Sequence, residues 1–375
     1  MGWLLAACFG AAGPAPTEAE APAAEVAAPA EAPAEAPAES EAAAPAETAA
    51  EAPAAQSTST LATVQERGTV KCGAGAGATP GFGFITEDGS WEGFNIDFCK
   101  VFAAAALGDA EAIEPVVTTG TTRFPILQSG EADVLSNNTT WTSSRDTALG
   151  FNFAPTVFYD GQGMMVRTDS GIETLEDLDG GSVCVGTGTT TEKNLADVFR
   201  KLDISYEAVT FEDTGDVVRS AFEEGRCDAY TNDASALVAV KVLFEDPDSV
   251  KILPEVMSKE PLGPLVRHGD DNWFDVVKWA TFCTIQAEEL GITSENVDDM
   301  LGSDDPVVLN TLGVEGEHGQ AMGLNNDFCY QIIKQVGNYG EIFERNLGEG
   351  TPFNLQRGTN ALWTEGGLMY SPPFR

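Results

Sequence analysis

The sequence runs through the same set of elements twice, and this repeat limits the fold more than any other feature. From Thr69, TVKCGAGAG reads as a strand entering a Gly-rich loop. GFNIDFCKVFAAAAL follows as a helix, with Phe94, Phe98, Val101, Phe102 and Ala105 at helical spacing and Asp97 the polar exception. IEPVVT then reads as a strand, RFPILQSG as a short helix stopped at Gly130, and ADVLSNN as a strand closing on polar residues. From Ser182 the order recurs as SVCVGTG, TTEKNLADVFRKL, YEAVTF, TGDVVRSAFEEG stopped at Gly225, and CDAYTND. In LQSGEADVLSNN and FEEGRCDAYTND alike, a Gly ends a helix, an Asp follows three residues later, and the strand closes on Asn-bearing polar residues. Alternation of this kind predicts an α/β protein of two lobes, each a mainly parallel sheet with helices on both faces.

Open parallel sheets bind ligands beyond the carboxyl ends of their strands, so two facing lobes make a cleft that closes by hinge bending. The polar strand ends at 137–140 and 231–233 are expected on its opposing walls. Three features there suit a small zwitterion. Arg145 lies in the amide- and hydroxyl-rich run NNTTWTSSRD, and a guanidinium fork matches a carboxylate bidentately. Thr189, Thr190 and Thr191 open a helix whose free N–H groups favour an anion. Asp233, at the end of the second unit, is the candidate partner for an ammonium. Each also has a plain structural reading: Arg145 could pair with Asp146, the threonines could cap a helix, and Asp233 could cap the helix beginning ASALVAV. Their appearance at equivalent ends of matching units favours the ligand reading. Phe82 or Trp91 could cover an aliphatic part of the ligand, or simply pack in the core.

Several classes of function are disfavoured. With 20 Lys plus Arg against 59 Asp plus Glu, the chain carries a net charge of -39 and would repel nucleic acid and anionic lipid. Only two histidines, His268 and His318, occur, and no Cys/His spacing suits zinc, so neither a metal nor another cofactor is expected. The glycines of GAGAGATPGFGF do not form G-x-G-x-x-G leading into a helix, and no P-loop, G-x-S-x-G or H-E-x-x-H run is present.

The first residues, MGWLLAACFG, resemble a bacterial lipobox in which Cys8 bears the lipid. Seven residues before Cys8 are too few for a full leader, which points to a start upstream of Met1. Residues 1–8 are accordingly a truncated signal remnant, and 9–56, almost wholly Ala, Pro and Glu, a disordered linker. No stretch approaches the roughly 18 apolar residues of a membrane span.

GFNIDFCKVFAAA, RFPILQSGEADVLSNNTTWTSSRDTALGFNF, VCVGTGTTTEKNL, GRCDAYTNDASAL and GNYGEIFERNLG together resemble the periplasmic polar amino-acid-binding proteins of ABC importers, in the general L-amino-acid-binding branch of the family 3 extracellular solute-binding proteins. The resemblance spans about Leu61 to Arg375. It implies a type II periplasmic-binding-protein fold with two crossover strands: 57–162 and 259–375 form one lobe, 163–258 the other. It also implies a monomer that binds many L-amino acids and docks on the permease subunits of an importer, in the periplasm or cell envelope. Carried over, Arg145 clamps the α-carboxylate with Thr140 and the N–H groups near Thr190 and Thr191, Asp233 holds the α-ammonium, and Asn138 lines the same wall. Phe82 falls near the usual aromatic position, although the Gly-rich loop departs from the family's aromatic-Pro-Phe pattern.

Six cysteines besides Cys8 permit fifteen pairings. Their distribution over the expected elements predicts three local disulfides, Cys184 with Cys227, Cys72 with Cys99 and Cys283 with Cys329, and hence an oxidising compartment. The rival readings are an enzyme on this scaffold, such as a cyclohexadienyl dehydratase, which needs a second acid or a His near Asp233, and a sensory ligand-binding domain.

Overall fold

The computed structural model describes residues 59–75, 79–212 and 215–375. Cys8 and the 9–56 linker lie outside them.

Helix α1 (Thr60–Arg67) leads into β1 (Val70–Gly75), and a short ribbon of β2 (Phe84–Ile85) and β3 (Trp91–Glu92) leads into α2 (Phe94–Leu107). Then come β4 (Ile113–Thr118), α3 (Arg123–Ser129), β5 (Val134–Leu135) and β6 (Phe151–Phe153). β1 runs parallel between β4 and β5. β7 (Phe158–Arg167) crosses to the second lobe, where β8 (Gly181–Gly186), α4 (Thr190–Leu202), β9 (Tyr206–Phe211), α5 (Asp216–Glu223), β10 (Ala229–Asp233), α6 (Ala234–Lys241) and β11 (Val250–Ile252) follow. There β8 runs parallel between β9 and β10. β12 (Lys259–Leu262) returns and β13 (Leu265–Arg267) re-enters the first sheet. The chain then adds α7 (Asp271–Glu289), α8 (Val297–Met300), α9 (Pro306–Thr311), α10 (His318–Met322), α11 (Phe328–Gln335) and α12 (Tyr339–Asn346) to the first lobe.

The sheet orders are β4-β1-β5-β13-β6 and β11-β7-β10-β8-β9. Parallel pairing is confined to three strands in each. The remaining strands run antiparallel, because the segments that enter and leave each lobe are themselves used as strands.

Packing follows from the strand and helix periods. Val183 and Val185 of β8 face a core with Leu195 and Phe199 of α4, while Cys184 between them faces Val218 and Phe222 of α5. In the first lobe α2 is apolar nearly all round and is enclosed by α7, α11 and α12. Phe94, Phe98 and Phe102 are fully buried there, each such burial contributing about 1.5–3 kcal/mol. The repeated Gly-x-x-Asp has one structural meaning in both units. Gly130 and Gly225 take φ of 80° and 75° at the ends of α3 and α5. The Asp133 carboxylate then accepts from the Lys71 N–H at 2.7 Å, and that of Asp228 from the Ser182 N–H at 2.8 Å, each fastening its strand to the first strand of its own unit.

Disulfides join Cys72 to Cys99, Cys184 to Cys227 and Cys283 to Cys329, with Cα separations of 5.9, 5.6 and 5.7 Å. They tie β1 to α2, β8 to the residues before β10, and α7 to α11. Among the described residues, no helix is long and apolar enough to cross a membrane.

Candidate functional site

A cavity of ≈ 100 Å³ lies between the lobes at the strand ends. Phe82, Asn95, Asn137, Asn138 and Arg123 line it from the first lobe, and Thr189, Thr190, Thr191, Asn232 and Asp233 from the second. The lobes meet around it. Thr121 Oγ1 donates to Glu212 Oε2 at 2.7 Å, and the Thr140 and Thr190 hydroxyls lie 3.1 Å apart. At the lip the backbones touch: a Cβ on Gly120 would stand 2.4 Å from the Thr187 carbonyl oxygen.

Thr189 caps α4, its Oγ1 accepting from the Glu192 N–H at 3.1 Å. The ends of Thr190 and Thr191 are thereby held against the cavity at the positive end of the helix dipole. Asp233 precedes α6 without a side-chain capping bond. It is buried, and its carboxyl is pushed well above the ordinary carboxylate range, first by burial, then by Asp160 and Glu260; Arg123 and Arg145 oppose the shift. Phe82 lines the cavity and also packs edge-on against Phe94 and Phe158, so the core and wall readings are both realised.

Arg145 does not pair with Asp146, which instead accepts from Trp141 Nε1 at 2.7 Å. It sits on a π-turn, Ser144–Ala148, and donates through Nη1 to the Thr140 carbonyl at 2.8 Å. Arg145 and Thr140 stand behind the cavity lining rather than on it. Among the described residues the cation on the wall is Arg123, which the sequence does not mark out because RFPILQSG reads as an ordinary short helix. Arg123 and Arg145 both stack on the Phe124 ring, at 5.0 and 5.1 Å from its centroid. Arg123 donates only over long distances, to the Asn138 carbonyl at 3.3 Å and Thr139 Oγ1 at 3.4 Å, and its buried Nε has no partner. Burial and the neighbouring Arg145 bring its pKa down to about 9, and burial brings that of Arg145 to about 10. Both remain cations at neutral pH.

Two further acids were missed. Asp160 of β7 and Glu260 of β12 are direct cross-strand partners. Asp160 accepts from the Ser235 hydroxyl and is raised to about 6, chiefly by burial. Their signal was the crossover register, which the sequence pattern does not carry. Among the described residues, no group of His, Cys, Asp and Glu is arranged to hold a metal ion.

Two α/β lobes hinged on paired crossover strands, with a polar cavity between them, define a solute-binding protein of the type II periplasmic fold. The chain belongs to the bacterial extracellular solute-binding proteins, family 3, which it matches over residues 72–295. It is 50% identical over 323 residues to the general L-amino acid-binding periplasmic protein AapJ of Rhizobium johnstonii, covering 86% of this chain and 94% of that one. It is 47% identical to the glutamate/glutamine/aspartate/asparagine-binding protein BztA of Rhodobacter capsulatus, covering 86% and 95%. A solved periplasmic binding protein from Brucella ovis with glutathione bound superimposes with a TM-score of 0.82 at 46% identity, covering 85% of this chain and all of that one. These relatives are binding proteins rather than enzymes.

Proposed function

We propose that the chain captures single free L-amino acids in the periplasm and delivers them to the permease subunits of an ABC importer. The observation that carries this is the charge layout of the cavity. Two buried guanidiniums in the first lobe have no carboxylate bonded to them, and a buried carboxylate in the second is free of capping bonds. Ionised groups buried this way are costly until a complementary partner arrives, and the same cost is what raises the Asp233 carboxyl while the cleft is empty. An amino acid supplies both partners at once. Asp233 takes the α-ammonium, and the α-carboxylate meets the N–H groups at Thr190 and Thr191 with Arg145 behind Thr140. Arg123 remains for an acceptor on the ligand side chain, such as an amide or a second carboxylate. Asn138, Thr189 and Phe82 complete the walls.

Size supports a single residue. At the roughly 30 Å³ that each water occupies in the liquid, ≈ 100 Å³ holds about three waters, so the closed cavity suits a small solute. A tripeptide such as glutathione is far larger than that. Cys8, if lipidated, would hold the 9–56 segment and the folded body at the membrane surface.

Calorimetry on the full chain with a panel of L-amino acids, D-enantiomers and glutathione tests the reading. Selective binding of L-amino acids, strongest for those with side-chain acceptors, is expected. Binding of glutathione alone, or of nothing in the panel, overturns it.

A further inference from the structure

Glu260 sits on the return crossover strand and is buried, 1% exposed. Its two oxygens collect donors from both lobes. Oε2 accepts from Thr140 Oγ1 at 2.5 Å, just behind the first-lobe wall, and from Thr190 Oγ1 at 3.1 Å, at the start of α4 in the second lobe. Oε1 accepts from Asn194 Nδ2 at 2.7 Å, one turn further along α4, and from the neighbouring Ser258 hydroxyl. The first-lobe partner is held in place independently, because the Trp141 N–H donates to the Pro261 carbonyl at 2.8 Å and the Gly263 N–H to the Thr139 carbonyl at 3.2 Å. None of the four side-chain donors is a cation, so the carboxylate is satisfied by neutral groups drawn from opposite sides of the cleft.

From this geometry we propose that Glu260 is the closure latch of the cleft, a positioning residue that links the closed arrangement of the lobes to the orientation of Thr140 and Thr190 beside the ligand. A carboxylate has two acceptor oxygens, and here each serves two donors. When the lobes part, the α4 donors Thr190 and Asn194 move away from the first-lobe donor, and Glu260 cannot keep both sets. Closing therefore gathers the set, fixes both hydroxyl rotamers, and favours the closed state before any ligand arrives. A glutamine at this position has one acceptor oxygen, and its NH₂ faces two of the donors. It keeps the shape and loses the latch.

The proposal rests on the solute-binding reading above, and its test separates the two. Full-length wild type, Glu260→Gln and Asn194→Ala are compared without ligand by small-angle scattering, and with L-glutamate and L-glutamine by stopped-flow fluorescence. Asn194 lies outside the cavity lining, so its variant weakens the latch without touching the wall and serves also if Glu260→Gln fails to fold. A latch predicts a larger ligand-free radius of gyration for Glu260→Gln, at least tenfold faster ligand dissociation, and association within about twofold of wild type. Asn194→Ala should change both in the same direction, by about threefold in dissociation. A merely structural role would lower the melting temperature without this split between the two rates. Unchanged scattering together with unchanged dissociation overturns the latch. If wild type binds neither amino acid, the reading of the ligand falls, while the ligand-free scattering still decides the latch: expansion in the variants supports it and identical curves refute it.

Discussion

The two lobes share a skeleton down to single hydrogen bonds, yet they present opposite charges to the cavity. Asp133 and Asp228 hold the same place after a helix-ending glycine and bond the same N–H of the first strand in their units. A few residues further on the units diverge. The first closes on Asn137 and Asn138 with Arg123 and Arg145 stacked about Phe124. The second closes on Asn232 and Asp233, beside the N-terminus of α4. A repeated fold thus fixes where side chains point, and the residues at the strand ends decide what each wall attracts. The lobes also differ in mass. The first gains α7 to α12 and one large core, while the second has a smaller cluster on each face of its sheet. The first lobe is therefore expected to be the rigid base and the second the moving jaw.

The contrast is broken most severely by removing Asp233, the only acid among the described residues of the second wall. Asp233→Asn retains the shape but loses the charge that meets the ammonium, leaving a buried cation without its counter-ion. The expected cost is about 2 to 5 kcal/mol, roughly 30-fold to several-thousand-fold in Kd by calorimetry. The first wall should respond in two ways. Arg145→Met should weaken every amino acid similarly, by roughly 10- to 150-fold for a lost charge-assisted bond of about 1.5–3 kcal/mol. Arg123→Met should weaken glutamate and glutamine by a comparable factor but alanine far less. Equal losses across all three ligands for Arg123→Met would show that both guanidiniums serve the α-carboxylate.

What could be read from the sequence follows the same division. The repeat, the helix-stopping glycines and the disulfide partition rest on local signals, and the two-lobe fold follows from them. The position of Asp233, Thr189, Thr190 and Thr191 on the cavity wall is legible because they stand at equivalent ends of repeated elements. That of Arg123 is not, since it opens a helix whose following residues read as plain core. Those of Glu260 and Asp160 are not either, because their meaning comes from a register between strands about 100 positions apart in the chain. Parallel sheets were expected, and the antiparallel halves depend on crossover segments that carry no distinct periodicity.

Closure itself is tested by Gly120. In the closed cleft a Cβ there would come within 2.4 Å of the Thr187 oxygen across the lip, while neither lobe alone needs the glycine. Gly120→Ala should cost about tenfold in affinity, through faster dissociation, and leave denaturant stability within about 0.5 kcal/mol of wild type. An equal loss of stability would place Gly120 in the fold of the first lobe instead of at the contact between lobes.

A separate effect, on stability rather than on affinity, comes from protons in the hinge. Burial and the facing Glu260 raise Asp160 from 3.8 to about 6, against the lowering influence of the Ser235 and Gly161 bonds. A carboxyl whose folded pKa lies above its unfolded one binds more protons in the native state. Its stabilising contribution is therefore fully present below about pH 4 and declines as pH rises to about 6, by up to about 3 kcal/mol for a shift of this size. Other carboxylates, such as Asp177 and Asp228, are shifted downward and act in the opposite sense. The comparison must then be between wild type and Asp160→Asn, in urea at pH 4 and pH 7 without ligand. The asparagine variant should gain on wild type as pH rises through this window, and a constant difference would refute the protonated hinge. Asp233 is raised for similar reasons, but a bound ammonium favours its charged form. Ligand binding should therefore release protons and strengthen as pH rises, by at most tenfold per unit, which calorimetry in two buffers of different ionisation heat will measure directly.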